Sequence, residues 1–130
     1  MSDYTPVNSD TGPFTLTAAV AIAGGQLVEG TADGTCSPSG GSKRAIGVAE
    51  HDAGAGQRVA IYPIQGYQHE VLIKNGTALA AGGPCVAAAN GQLDLGTNLA
   101  TAAAAGTLIG VVTKGGTGDG TTVKARFVGV

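Results

Sequence analysis

Apolar and polar positions alternate along this chain in short runs, and most runs end at glycine. The stretch from Arg44 to Ile73, RAIGVAEHDAGAGQRVAIYPIQGYQHEVLI, shows the pattern best. Residues 45–49 are apolar and partly β-branched, and Asp52-Ala53-Gly54-Ala55-Gly56 follows with glycines that take positive φ at little steric cost, so the chain reverses there. Strands are predicted over 58–62 and 71–73. The second of these closes at Lys74-Asn75-Gly76-Thr77, where Asn-Gly signals a reversal. Near the start, Phe14, Leu16 and Ala18 alternate with Thr15 and Thr17, as on a half-buried strand. Near the end, Val123, Ala125 and Phe127 share one face and Lys124 and Arg126 the other, so the strand over 122–128 has one covered side and one wet side.

The order of these signals occurs twice. Ile46-Gly47-Val48 is matched by Ile109-Gly110-Val111, each followed by a glycine turn and a strand. Upstream, Ala23-Gly24-Gly25-Gln26-Leu27-Val28 is matched by Ala81-Gly82-Gly83-Pro84-Cys85-Val86. Two weakly similar halves, about 18–66 and 77–130, are therefore expected within one domain over 14–130, since each half alone is too short and glycine-rich to bury a stable core. Residues 30–43 are rich in glycine, serine and threonine and read as an exposed loop or hairpin tip. Asn90-Gly91 marks a hairpin into Gln92-Leu93-Asp94-Leu95. Residues 98–105, NLATAAAA, fit either one short helix stopped by Gly106 or an extended connection. Residues 1–13, MSDYTPVNSDTGP, are polar and aperiodic, and read as an extended N-terminal arm that either orders on binding or simply frays. The fold class expected is all-β: a small β-sandwich or partly open β-barrel with that arm and at most one short helix. Ile46, Val48, Ile61 and Phe127 are expected in the core.

Composition narrows the picture. The chain has 130 residues, 43% of them hydrophobic, but only 4% aromatic, with 23 glycines and no tryptophan, so the core is thin and a monomer gains from association. A net charge of −2 with seven scattered lysines and arginines argues against a nucleic-acid surface. No run approaches the roughly 18 apolar residues of a membrane span, and acidic Asp3 and Asp10 stand where a signal peptide would be basic. Cys36 and Cys85 have no CxxC partner; they read as free thiols or as one disulfide, not as a metal knuckle.

The residues able to do chemistry are Glu50, His51, Asp52, His69 and Glu70. His51 and Asp52 are adjacent and point to opposite faces of a strand, no metal-ligand spacing is present, and all five are expected at the surface. No G-x-S-x-G elbow or phosphate loop occurs. No catalytic, cofactor-binding or metal-binding residue is assigned, and no enzyme activity is expected.

Taken in order, A-G-G-x-x-V, then AIGVAEHDAGAGQRVAIYPIQGY, then a second A-G-G-x-x-V and IGV with a final strand, the sequence resembles the capsid decoration, or cement, proteins of tailed bacteriophages. The resemblance covers roughly residues 14–130 and extends to lambda-like head decoration proteins over 45–73. It implies a β-rich structural virion protein, made in the host cytoplasm, that sits on the outer capsid surface as a homotrimer. There it would cement neighbouring major capsid proteins of the mature head, without cofactor, nucleic acid or membrane. It further implies capsid contact by the arm, through Ser2, Asp3, Tyr4, Thr5, Pro6, Val7, Asn8 and Pro13. The alternative reading is a small β module that binds carbohydrate or a host surface, for which Tyr62 and Tyr67 are the available stacking rings.

Overall fold

The computed structural model describes residues 12–96 and 106–130. The short helix weighed for 98–105 and arm residues 1–11 lie outside the described residues. Among those described there is no helix. The twelve strands are β1 Phe14–Ala18, β2 Leu27–Ala32, β3 Thr35–Pro38, β4 Gly47–Ala49, β5 Arg58–Pro63, β6 Gln68–Leu72, β7 Ala78–Leu79, β8 Pro84–Ala87, β9 Leu93–Leu95, β10 Leu108–Lys114, β11 Gly116–Thr117 and β12 Lys124–Gly129. The all-β expectation holds.

The first five strands close a barrel in the order β1-β3-β2-β4-β5. All neighbours are antiparallel except β1 and β3, which run parallel. The second large sheet runs β6-β12-β10-β8-β9, antiparallel throughout. Its edges meet through one parallel bridge, Ile73 to Leu93, where the Lys74 amide donates to the Leu93 carbonyl at 2.9 Å. Followed around, the second sheet reads β6-β9-β8-β10-β12, the order of the first, with the parallel contact in the same place. The Ile22–Ala53 bridge of the first half also has a counterpart in the β7–β11 ladder, where Leu79 lies opposite Gly116. We infer from this matched order that the chain is two copies of one five-stranded unit, with β6 opening the second.

Matching hydrogen bonds put the two openings one residue away from the alignment suggested by their letters. Gly25 and Gly82 take φ of 89° and 88°. The Gln26 amide donates to Ala23 O at 3.2 Å and the Gly83 amide to Ala80 O at 3.1 Å. Gly25 N reaches Ala49 O at 2.8 Å and Gly82 N reaches Val112 O at 2.7 Å. Ala23–Gln26 therefore corresponds to 80–83, because the equivalence follows the glycine at positive φ and not the Gly-Gly pair.

The repeated Ile-Gly-Val also has a structural reason. A Cβ on Gly47 would overlap the Tyr62 carbonyl and the Ile61 side chain across the β4–β5 ladder. One on Gly110 would overlap the Val128 carbonyl and the Phe127 ring across β10–β12. In both halves a bulky inward side chain from the last strand fills the space that this glycine leaves.

Packing divides into two clusters. Ala18, Val28, Cys36, Val59 and Ile61 fill the first barrel with half-buried Phe14 and Leu16. The larger cluster combines Val71, Ile73, Leu93, Ile109, Val112 and Phe127 of the second half with Leu27, Ala45, Val48 and Ile64 of the first. Adjacent Leu27 and Val28 are both fully buried because β2 lies between the two cores. Val48, Ile61 and Phe127 are buried as expected, whereas Ile46 is 36% exposed. Ala45 takes the inward position just ahead of β4, and the alternation turns Ile46 outward.

The expected loop over 30–43 is largely a hairpin. β2 and β3 meet across Asp33-Gly34, with Gly34 at φ 73° and Cys36 buried between Thr35 and Ser37. The Asn90-Gly91 turn forms as read, with φ of 60° and 67°, both positive as a type I′ hairpin requires. It also fastens the halves together: Leu27 N donates to Gly91 O at 2.9 Å, Gln26 Nε2 to Asn90 O at 2.9 Å, and buried Ser39 Oγ to Ala88 O at 2.6 Å. Gly110→Ala is expected to destabilise the fold by about 2 kcal/mol or more, because facing main chain cannot yield. Gly30→Ala, with nothing within 4 Å of its Cβ position, should stay within about 0.5 kcal/mol. Urea unfolding of both variants checks the contrast.

Candidate functional site

The residues with chemical potential serve the scaffold. Asp52 Oδ1 accepts from the Gly24 amide at 2.8 Å and so holds the opening turn of the first half. His51 Nδ1 lies 2.9 Å from Asp52 O, and its Nε2 accepts from the Ala60 amide at 3.3 Å. Glu50 accepts from the Tyr62 hydroxyl at 3.4 Å. Glu70 pairs with Arg126 at 2.8 Å, and that hydrogen bond is the main reason its carboxyl titrates below the usual range. Among the described residues, no three His, Cys, Asp or Glu side chains gather to hold a metal.

His69 departs from the surface position expected of it. On β6 the alternation sends Gln68 and Glu70 outward and His69 and Val71 inward. His69 lies opposite Phe127, with ring centroids 5.5 Å apart, and its Nε2 is 2.8 Å from Pro63 O. Burial lowers its pKa. It is a core residue joining the end of β5 to the second sheet.

An open groove of about 530 Å³ runs along Ala21, Ile22 and Ala23 past Gln26, Asp52 and Gln57. Its polar side chains are already engaged: Gln26 Oε1 accepts from Ala23 N and Gln57 Oε1 from Gly54 N, both at 2.8 Å. Tyr62 and Tyr67 do lie together, centroids 5.5 Å apart, but with their planes at 60°. An edge-to-face pair presents no shared flat face for a sugar ring. At this groove and at this tyrosine pair the molecule offers open surface.

The outer faces carry what remains. Val20 and Leu95 are each 50% exposed and Val128 and Val130 each 40%. Lys114, Arg126 and Glu70 form one row across β10, β12 and β6. Pro13, the one proposed arm residue within the described region, is exposed.

A family model described as phage cement protein matches residues 7–127. The chain belongs to that family. Its fold is similar to that of a solved structure described as the head fiber gp8.5 N base in bacteriophage phi29, with a TM-score of 0.64 and 17% identity, covering 91% of this chain and 92% of that one. No curated protein matches the chain. The family places the protein among structural components associated with the phage capsid and virion.

One scaffold feature went unnoticed in the sequence. Asp119 Oδ1 accepts from the amides of Thr121, Thr122 and Val123 at 2.9, 2.7 and 3.1 Å, and the Thr122 hydroxyl donates to Oδ2. The signal was present as Asp-Gly-Thr-Thr, an acceptor followed by a turn. The hydroxyl bond, then the amide bonds, hold this carboxyl far below the ordinary aspartate value. Cys36 and Cys85 are free and buried, in separate clusters. Burial raises both thiols, Cys85 to about 12.

Because the folded Asp119 prefers its charged form, its stabilisation is complete above the unfolded value of about 3.9 and is lost as pH falls from there through the folded value. Asp119→Ala should therefore lower Tm at about pH 7, and the gap from wild type should narrow at about pH 2.5; thermal melts across that range check it. Both thiols should resist a thiol-specific reagent at about pH 8 while the protein is folded and react once it is denatured, as absorbance titration with and without guanidinium would read.

Proposed function

We propose that the protein binds the outer surface of the mature phage head as a homotrimer and cements neighbouring major capsid proteins, stabilising the shell. The single observation carrying this reading is the cement-protein match over nearly the whole chain. The structure is consistent with it in kind: Asp52, Asp119 and Gln57 hold turns, and the strands close on one another through main-chain ladders. A protein that binds the assembled, expanded shell and not its precursors stabilises that state by linkage, and many identical weak contacts on a lattice add through multivalency.

In this reading the arm, with Ser2, Asp3, Tyr4, Thr5, Pro6, Val7, Asn8 and Pro13, pairs its main chain with an exposed edge of a capsid protein. Synthesis takes place in the host cytoplasm, and the protein acts without catalysis or cofactor. Purified protein should cosediment saturably with expanded heads of its own phage that lack it, in multiples of three per site. Removal of residues 1–13 should weaken that binding at least about tenfold while leaving Tm unchanged. Full occupancy after truncation would remove the arm from the account, and absence of binding by the intact protein would remove the cement function itself.

A further inference from the structure

We propose that the outer face of the β6–β12–β10 portion of the second sheet is the surface that meets the head, and that its partner there is an acidic protein surface. The inference rests on the head-binding reading above and goes further by naming the face and the chemistry it fits.

The face is built by alternation. Along β12 the inward Ala125 and Phe127 are fully buried, which turns Lys124, Arg126 and Val128 outward. Lys114 lies directly opposite Arg126, and Arg126 directly opposite Glu70; Lys124 stands two residues along, opposite Leu72. Arg126 takes the one carboxylate in the row at 2.8 Å. Among the described residues, neither Lys114 nor Lys124 has a carboxylate within ion-pair distance. Three cations against one anion leave a local charge of +2 on a chain whose net charge is −2.

This arrangement works against the fold. Like charges directly opposite on a ladder destabilise it, and Glu70 offsets only part of the repulsion between Lys114 and Arg126. Adjacent strands lie about 4.8 Å apart, so each charge in the row stands within the roughly 8 Å screening length of its cross-strand neighbour at physiological salt, and neighbouring charges act on a partner together. Next to the row, Val111, Val128 and Gln68 lie in register across the same three strands, with Val128 40% exposed. Two valines beside Gln68, whose Nε2 donates to Thr113 Oγ1 at 2.8 Å, bordered by cations without an ion-pair partner, have the make-up of a docking surface, in which apolar contact supplies adhesion and charge supplies orientation and partner choice.

The test pairs head binding with stability. Lys114→Glu/Lys124→Glu should cosediment with expanded, DNA-free heads at least about tenfold more weakly than wild type at about 50 mM salt, while keeping a cooperative thermal transition, because the row only inverts from three cations and one anion to three anions and one cation. Lys114→Gln/Lys124→Gln should fall between, and carries the test if the reversal misfolds. Arg58→Glu, an exposed charge on the first barrel, should bind as wild type does. Wild-type binding that is matched by the reversed pair, or lost equally in Arg58→Glu, overturns the assignment of this face. Failure of the wild type itself to bind any head overturns the head-binding reading from which it starts.

Discussion

What the rest of this molecule depends on is the approach of one main chain to another at distances that no side chain would allow. Gly47 and Gly110 let the last strand of each half lie flat against its neighbour. Gly115 sits where a Cβ would overlap the Leu79 carbonyl, Gly118 against the carbonyls of Ile73 and Lys74, and Gly129 against that of Ile64. With few aromatics the chain gains less from side-chain burial than most domains of its size, and it compensates by closing its ladders on themselves. No buried side-chain nitrogen or oxygen among the described residues lacks a partner.

Much of the strand content was visible in the residues, since period-two alternation reports directly which side of a strand is covered. Phe14, Leu16 and Ala18, and later Val123, Ala125 and Phe127, were legible for that reason, as was the Asn90-Gly91 hairpin. The ring order was not. It depends on the β1–β3 parallel contact and the Ile73–Leu93 bridge, long-range pairings that leave no local mark. β3 was hidden because Thr-Cys-Ser-Pro lacks strand-forming bulk, and its strand character comes from pairing on both sides, with β1 and β2. His69 was misplaced because its polarity outweighed its position one step from Glu70 on an alternating strand.

The candidate site was less legible than the fold for a physical reason. A catalytic centre concentrates unusual residues at fixed spacings, whereas a contact surface is made of ordinary ones whose meaning comes from register. Lys114, Arg126 and Glu70 are far apart in sequence and become neighbours only when three strands align. Asp52 and Asp119, which stand out among so few charges, turn out to hold turns. Membership of the phage cement family accords with such a body: small-grained, and presenting broad faces.

The two rings differ in one respect that bears on mechanical life. The first is shut by ladders on every side, while the second is shut between β6 and β9 by a single bridge. A hoop with one weak clasp opens at the clasp. Strain on the molecule would be taken up first at this seam, which beside the bridge carries the Lys74–Asp94 ion pair at 3.6 Å and the Thr77–Asp94 hydrogen bond at 3.2 Å, so the second half would open like a split washer while the first keeps its circumference.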